Sequence, residues 1–227
     1  MSRLLPRIIL AAVAACSASC CGVSMEQPLS DDATSTIDRR LLGVWQTNSG
    51  EVPPRHQLVI AIAKKKDTRN TMEAVFVGVY DDTAKIERTT FYSRPGKMDL
   101  LSLADETKDG AGHYYPLRYR FRGEDRLELF VPDLDFVRQA VARSELKGEC
   151  KEFKFRFRAA PAEPGDETSK EAESDEEKDD KTCGCHLTSS PEEIIGFIEK
   201  HGEKCFKKEP MVLQRIVGPD DKQPSDK

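Results

Sequence analysis

The chain has 227 residues, of which 35 are Lys or Arg and 40 are Asp or Glu, so its formal net charge is -5. A mildly acidic chain lacks the broad positive field with which proteins neutralise phosphates, so we exclude a nucleic-acid partner. Hydrophobic residues make up 38% of the chain, which is enough to build one core. No apolar run reaches the ~20 residues of a membrane-spanning helix, so any membrane attachment must take another form.

Residues 1–15 have the three features of a secretory signal peptide. Arg3 and Arg7 supply a positive start, and residues 8–15 form a short apolar stretch that ends in small side chains. The stretch is too short to span a membrane, so we predict that it directs export and is removed.

The next residues, Val13-Ala14-Ala15-Cys16, place an aliphatic residue and two small ones before a cysteine. This pattern resembles the lipobox of bacterial lipoproteins, in which the signal peptide is cut just before the cysteine and the thiol is lipidated. The resemblance implies a cell-envelope protein that is held to the membrane by a lipid on Cys16, with Cys20 and Cys21 as alternative positions. Because Ser17 rather than Asp follows Cys16, the usual enterobacterial sorting pattern implies the outer membrane.

The excess of acidic residues is confined to one segment. Removing residues 1–15 takes two arginines and no acid, which leaves 33 basic and 40 acidic residues and a net charge of -7. Residues 163–181 contain ten acids and three lysines, which is also -7, and they carry no aromatic or branched aliphatic side chain. We therefore predict a disordered acidic insertion within an ordered domain at 38–217. Residues 16–37 are predicted to be the lipidated cysteine and a polar tether, and 218–227 a disordered tail.

Between these segments the dominant hydrophobic period is two, which predicts strands. His56–Ala63 and Met72–Tyr80 are compact Val- and Ile-rich runs, and Leu117–Val131 alternates on both sides of a Gly-Glu-Asp turn. About nine or ten antiparallel strands predict a closed barrel or a sandwich, because such architectures leave few exposed edges. The remaining predicted strands lie at 41–48, 86–93, 97–103, 153–157, 183–188 and 211–217.

Two helices are predicted from their capping residues. Asp133 can cap a helix over 134–146 that ends near Gly148. Ser190 can cap a second helix, because Pro191 follows it and Glu193 completes a capping box. Both helices are predicted to cover the ends or the outer wall of the barrel.

The segment Leu41-Leu42-Gly43-Val44-Trp45 resembles the Gly-x-Trp opening of lipocalins and lipocalin-like domains. In that superfamily the tryptophan sits at the closed base of the barrel and an arginine from the last strand packs over it. The resemblance implies that Gly43, Trp45 and Arg215 form this barrel-base motif. The fold class we predict is therefore mainly β, an antiparallel lipocalin-like barrel with two short inserted helices.

Most of the ordered chain also resembles a group of uncharacterised bacterial lipoproteins that has no assigned activity. The similar segments are LLGVW after a lipobox, YRFRGEDRLELFVPDLDFVRQAV followed by LKG, LTSSPEEIIGFIEKHGEKCF, and MVLQRIV. The helix at 134–146, inserted between strands, departs from true lipocalins.

The cysteines left after lipidation of Cys16 permit disulfides, because an envelope location is oxidising. One or two bridges are predicted among Cys150, Cys183, Cys185 and Cys205, and the sequence leaves the pairing open. Free thiols are one alternative. A soft-metal site made by the same four cysteines and His186 is another, but Cys-x-Cys-His does not have the spacing of common zinc modules. We predict no metal and no cofactor.

No catalytic residue is predicted. The four histidines, at 56, 113, 186 and 201, lie outside the recognised protease, hydrolase and phosphate-loop motifs. Asp133 and Asp135 are paired carboxylates that helix capping explains better than catalysis.

Basic residues alternate with apolar ones on two of the predicted strands. If these strands are neighbours, six cations share an outer face that could meet anionic lipid headgroups, envelope polymers or the acidic insertion. A solvated barrel exterior is the simpler interpretation. The six residues are Arg118, Arg120, Arg122, Lys154, Arg156 and Arg158.

The function we predict is a non-enzymatic binding module for a small apolar ligand or another envelope component. A structural or assembly lipoprotein that acts through its exterior surface is the first alternative. A thiol- or metal-binding envelope protein is the second. An open apolar pocket in the barrel would favour the small ligand, and a filled interior would count against it.

Overall fold

A computed structural model describes residues 22–47, 57–80, 83–105, 113–154 and 181–218. The predicted signal peptide, the lipid position Cys16, and Cys20 and Cys21 lie outside the described residues. So do the acidic insertion up to residue 180 and the tail from residue 219.

The described residues form eleven strands and two α-helices. The first six strands are β1 (Val23–Met25), β2 (Gly43–Thr47), β3 (Gln57–Lys64), β4 (Met72–Tyr80), β5 (Thr83–Arg94) and β6 (Asp99–Ala104). The other five are β7 (Tyr114–Phe121), β8 (Arg126–Phe130), β9 (Gly148–Lys154), β10 (Lys181–Leu187) and β11 (Met211–Val217). The helices are α1 (Leu134–Ala142) and α2 (Pro191–His201).

Eight of these strands close into an antiparallel barrel. Strands β2 to β8 pair with one another in chain order, from β2 with β3 to β7 with β8. Strand β11 pairs with both β8 and β2 and completes the ring. The predicted fold class, a mainly β protein with a lipocalin-like antiparallel barrel and two short helices, is confirmed. The strands predicted from period two correspond to observed strands, with ends that shift by a few residues. The exception is the strand predicted at 153–157, which overlaps the end of β9 and lies outside the described residues from 155 onward.

Alternation along the strands fills the barrel. Ile60 and Ile62 of β3 face inward and lie opposite Phe76 and Ala74 of β4, and all four are buried. Leu41, in a 3-10 turn over Arg39–Leu41, is fully buried in the same core. The barrel is therefore held by apolar side chains that its strands point inward.

The chain between β8 and β11 builds a second unit beside the barrel. Strands β9 and β10 pair antiparallel, and β1 adds to β10 in parallel and touches β7 at Met25 and Tyr114. Both helices contribute to a core shared with these strands, which Leu100 and Phe130 of the barrel join. The helices therefore do not close a barrel end, and they cover the outer wall only through this second core.

The helix caps predicted from sequence are present. The Asp133 carboxylate accepts a hydrogen bond from the Phe136 backbone N–H at 3.0 Å, and Ser190 and Glu193 form the capping box of α2. The first helix ends at Ala142, earlier than predicted, because Ser144 takes a left-handed φ of 58°. Gly148 begins β9 instead of ending the helix. No helix of the described residues is long and apolar enough to span a membrane.

Residues 22–37, predicted as a polar tether, are instead part of the fold. Val23 and Met25 are buried in the second core, and Leu29 joins them. Further along, Asp32 accepts hydrogen bonds from the Asn70 N–H at 2.8 Å and the Thr71 hydroxyl at 2.6 Å. A strand of three residues is too short to show a hydrophobic period, so the sequence did not reveal it.

Candidate functional site

Trp45 closes one end of the barrel. Its ring is fully buried, and its indole N–H donates to the carbonyl of Leu41 at 2.8 Å. The guanidinium carbon of Arg215 lies 4.3 Å from the centroid of the Trp45 ring. The structure thus brings together two of the three residues of the predicted barrel-base motif, in a cation–π contact.

Arg215 also ties the last strand to the segment that precedes β2. Its guanidinium donates to the carbonyls of Leu42 at 3.2 Å and Arg40 at 2.5 Å. A third bond reaches the carbonyl of Glu124 at 3.1 Å. Since a planar guanidinium offers five donors, one side chain can cover the indole and also bind the backbone around it.

Gly43 supplies the third part of the motif. Its φ of 127° is one that side chains rarely adopt, and a Cβ there would lie 2.3 Å from the carbonyl oxygen of Val217. Strands β2 and β11 change register at this point, between Arg215 and Val217. Glycine therefore allows the first and last barrel strands to approach closely where the arginine crosses the tryptophan.

Replacing Gly43 with alanine is expected to lower the free energy of unfolding by about 1–3 kcal/mol, because it adds backbone strain and a clash with Val217. Urea unfolding followed by circular dichroism measures the change. Gly196→Ala is the matched control: Gly196 is exposed within α2, and an added Cβ meets nothing within 4 Å. That variant is expected to gain about 0.5–1 kcal/mol. Equal effects of the two substitutions would contradict the role of Gly43.

A polar network beside the motif was not predicted from sequence. Asp38 binds Arg40 through both carboxylate oxygens, at 3.0 Å to Nε and 2.7 Å to Nη2, and accepts from the buried Tyr119 hydroxyl at 3.0 Å. Burial by itself would raise the pKa of Asp38, but the bonds from Arg40 and Tyr119 lower it below its usual value. The three residues close the barrel base. The sequence did not reveal the network, because Tyr119 stands between arginines in an alternating strand and its partner Asp38 is 81 positions away.

Replacing Asp38 with asparagine is expected to lower the free energy of unfolding at neutral pH by about 1.5–3 kcal/mol, the range for hydrogen bonds to a charged group. The lowered pKa of Asp38 means that its contribution is present above the unfolded pKa and is lost as pH falls through the folded pKa. The gap between wild type and Asp38→Asn should therefore narrow below about pH 4. Urea titrations at pH 7, 5 and 3 measure it, and a gap that stays constant would contradict the assignment.

The barrel interior, where a small apolar ligand would bind, contains a small cavity. Its volume is about 30 Å³ and its lining is apolar. A water molecule needs about 15 Å³ on this scale, whereas an engineered cavity that admits benzene measures about 150 Å³. This cavity therefore has space for about two water molecules. Among the residues that line the cavity are Leu41, Ile62, Phe76, Phe91, Leu103 and Leu129.

Among the described residues, two cysteines form a disulfide and a third is a free, buried thiol. Cys150 of β9 and Cys185 of β10 lie directly opposite each other and form a disulfide with an S–S distance of 2.01 Å. Cys205 is free and buried, and this burial raises the pKa of its thiol to about 11. Cys205 is therefore protonated at neutral pH and is a poor nucleophile. Cys183 lies in β10 opposite Glu152.

The proposed soft-metal set does not assemble in the described part of the chain, where no group of three or more His, Cys, Asp or Glu residues could hold a metal ion. His186 lies 3.0 Å from the Ser24 hydroxyl through Nδ1, and its ring packs against His113 at 4.8 Å between centroids. The contacts of His186 are thus typical of a partly buried residue in a strand.

The predicted six-cation face is not formed, because β1 and β10 lie between β7 and β9. The arginines of β7 are instead paired with acids. Arg118 is buried against Phe130 and contacts Glu203 at 2.7 Å. Three further arginines converge on the buried carboxylate of Glu128, at 2.6 to 3.4 Å; they are Arg120, Arg122 and Arg126. Arg156 and Arg158 lie outside the described residues.

The outer wall of the barrel carries an apolar patch that spans β11 and the first four barrel strands. Val59 of β3 pairs with Val77 of β4, which pairs with Ile86 of β5, in one row across the sheet. Ile86 is 65% exposed. A second row joins Val217, Val44, Ala61 and Val75. We call these seven residues the outer apolar patch; Val217 is 40% exposed and the other five, apart from Ile86, are partly exposed.

Sequence reasoning missed this patch, although a signal was present. Antiparallel strands with one solvated face alternate apolar and polar residues, whereas β3 and β4 read Leu-Val-Ile-Ala-Ile-Ala and Ala-Val-Phe-Val, apolar on both faces. Comparison with protein-family models, with curated proteins and with solved structures finds no match for the chain.

Proposed function

We propose that this chain is a lipid-anchored protein of the bacterial cell envelope, attached to the outer membrane through Cys16. Its domain is a non-enzymatic binding module, and its partner is another envelope protein that binds the outer apolar patch. The lipobox-like sequence and the resemblance to a group of bacterial lipoproteins support the anchor and the location.

The outer apolar patch is the observation that carries the choice of partner. Contiguous apolar residues on the outside of a soluble protein often mark an interaction surface. The patch is a regular strand surface, so it offers a rigid, shaped face of the kind on which protein interfaces form. Ile86 stands at one side of it and is the most exposed of its side chains.

A small apolar ligand inside the barrel is the weaker candidate. Pockets that hold such ligands usually measure about 300–1,000 Å³, which is roughly ten to thirty times the volume of the cavity found here. Binding would require the packed leucines and phenylalanines of the interior to separate. The geometry therefore favours an exterior function over an interior one.

Site-specific photo-crosslinking in intact cells tests the partner. A benzophenone amino acid at position 86 is expected to give one major adduct, which disappears when Val77→Asp is added beside it. The matched control places the same probe at position 199, an exposed position of α2, where no such adduct is expected. Adducts between two copies of the chain, or the same adducts at both positions, would contradict the proposal.

Two further measurements test the anchor and the competing ligand. Mass spectrometry of the chain from membranes is expected to show acyl chains on Cys16, and Cys16→Ala is expected to release the protein from the membrane. Saturable binding of a fluorescent fatty acid to the soluble domain, abolished by Leu103→Trp in the cavity wall, would overturn the preference for an exterior function.

A further inference from the structure

The fold begins immediately after the cysteines of the N-terminal segment. The Gly22 carbonyl accepts a hydrogen bond from the Cys185 N–H at 2.9 Å. Val23 and Met25 are 4% and 0% exposed, and the Glu26 N–H donates to the Leu187 carbonyl at 2.9 Å. From Gly22 onward the chain is therefore held by backbone pairing and by burial.

The disulfide lies directly beside the point where the chain joins the fold. Val23 lies beside Cys185, which is bonded to Cys150, so one row of the three-stranded sheet contains the first strand and the disulfide. Strand β10 runs parallel to β1 and begins at Lys181, four residues before Cys185, the partner of Val23. Lys181 pairs with Lys154 of β9. At about 3.3 Å per residue, this end of the sheet projects roughly 13 Å beyond Val23. We call it the Gly22 end of the sheet.

The covalent path from the lipid to the fold is short, if the proposed function is right in placing the lipid on Cys16. Gly22 lies six positions after Cys16, with five residues between them. A fully extended chain covers at most about 3.3–3.6 Å per position, so the path is roughly 20 Å long. Lipidation at Cys20 or Cys21 would shorten the path further. A domain of about 160 residues has a radius of gyration near 15 Å and is about 40 Å across. The path is therefore shorter than the domain is wide.

We propose that the Gly22 end of the sheet faces the lipid surface, because the path from Cys16 holds it within roughly 20 Å of the membrane headgroups. This inference rests on the lipid anchor of the proposed function. A domain held on so short a path cannot turn over, so this end stays at the membrane. Strand β3 lies four strands from β7 in either direction around the eight-stranded ring, on the side of the barrel opposite the strand that β1 touches.

Energy transfer from the protein to labelled lipids tests the orientation. The full lipidated chain is reconstituted in phosphatidylethanolamine–phosphatidylglycerol vesicles that carry a headgroup acceptor. A fluorescent amino acid is placed at position 151, opposite Gly184 at the Gly22 end, or at position 63, an exposed position of β3. Transfer from position 151 is expected to exceed transfer from position 63. Inserting about 20 Gly and Ser residues after Ser17, which adds a coil of roughly 25 Å, is expected to abolish the difference.

The outcomes separate this inference from the proposed function. Equal transfer from both positions, in protein whose acylation is shown by mass spectrometry, would overturn the orientation and leave the anchor standing. A difference that survives the insertion would overturn the short path as the cause of the orientation. Absence of acyl chains from protein purified from membranes would overturn the anchor itself.

Discussion

Replacing Trp45 with alanine is expected to lower the free energy of unfolding by about 3–5 kcal/mol, the usual cost of truncating a large buried aromatic residue. The cost has three sources in this structure. The variant leaves a cavity in a fully buried site, and it removes the aromatic ring that the guanidinium of Arg215 covers. It also removes the indole N–H that donates to the Leu41 carbonyl. Phe121, whose ring centroid lies 6.0 Å from that of Trp45, also loses its neighbour.

Urea unfolding followed by circular dichroism measures this effect, because Trp45 is the only tryptophan and its fluorescence disappears with it. Trp45→Phe is the matched control: it keeps an aromatic ring under Arg215 and loses only part of the volume and the indole donor. Its destabilisation is expected to be the smaller of the two. A loss below about 1 kcal/mol for Trp45→Ala, which is typical of surface sites, would show that the barrel base is not assembled as described.

Removing the disulfide by the double substitution Cys150→Ala and Cys185→Ala is expected to cost about 3–4 kcal/mol. The two cysteines are separated by 35 positions, and closing a loop of that length reduces the entropy of the unfolded chain by about this amount. The bond joins β9 to β10, and β10 in turn holds β1. Loss of the bond should therefore loosen the second core before the barrel. Hydrogen exchange is expected to rise first at the backbone amides of position 185 and Glu26, which pair with Gly22 and Leu187.

Reduction of the wild-type protein provides the control for this prediction. Dithiothreitol is expected to bring the wild type to the stability of the double variant and to leave the double variant unchanged. Cys205→Ala, which removes a buried thiol outside the disulfide, should keep the full response to dithiothreitol. A wild-type protein whose stability is independent of dithiothreitol would rule out the bond.

The local rules of sequence predicted the elements well. Strands such as β3 and β4 show the two-residue hydrophobic period, and turn residues mark their ends. A short stretch of sequence is therefore enough to predict them. The helices followed from caps, because Asp133 and Ser190 satisfy backbone N–H groups within the next three residues. The barrel-base motif was predicted only through a resemblance, since nothing local relates Arg215 to Trp45.

The features that sequence did not reveal depend on pairing between distant segments. The strand β1 is short and pairs with β10, and the hydrogen bond between Ser24 and His186 spans 162 positions. The same limitation applies to the partner of Cys150 and to the bond between Asp38 and Tyr119. The prediction of a six-cation face was wrong for the same reason. Alternation shows on which side of a strand a residue lies, but it does not show which strand lies next to it.

The closure of the ring by β2 and β11 has a consequence for how the protein is made. The first barrel strand can complete its pairing only when the last one has been synthesised, so the barrel cannot close progressively during synthesis. Until then β2 and β8 present unpaired edges to other chains. A chain that stops short of Met211 would expose these edges permanently, so premature termination should produce an aggregating species and not a smaller folded one.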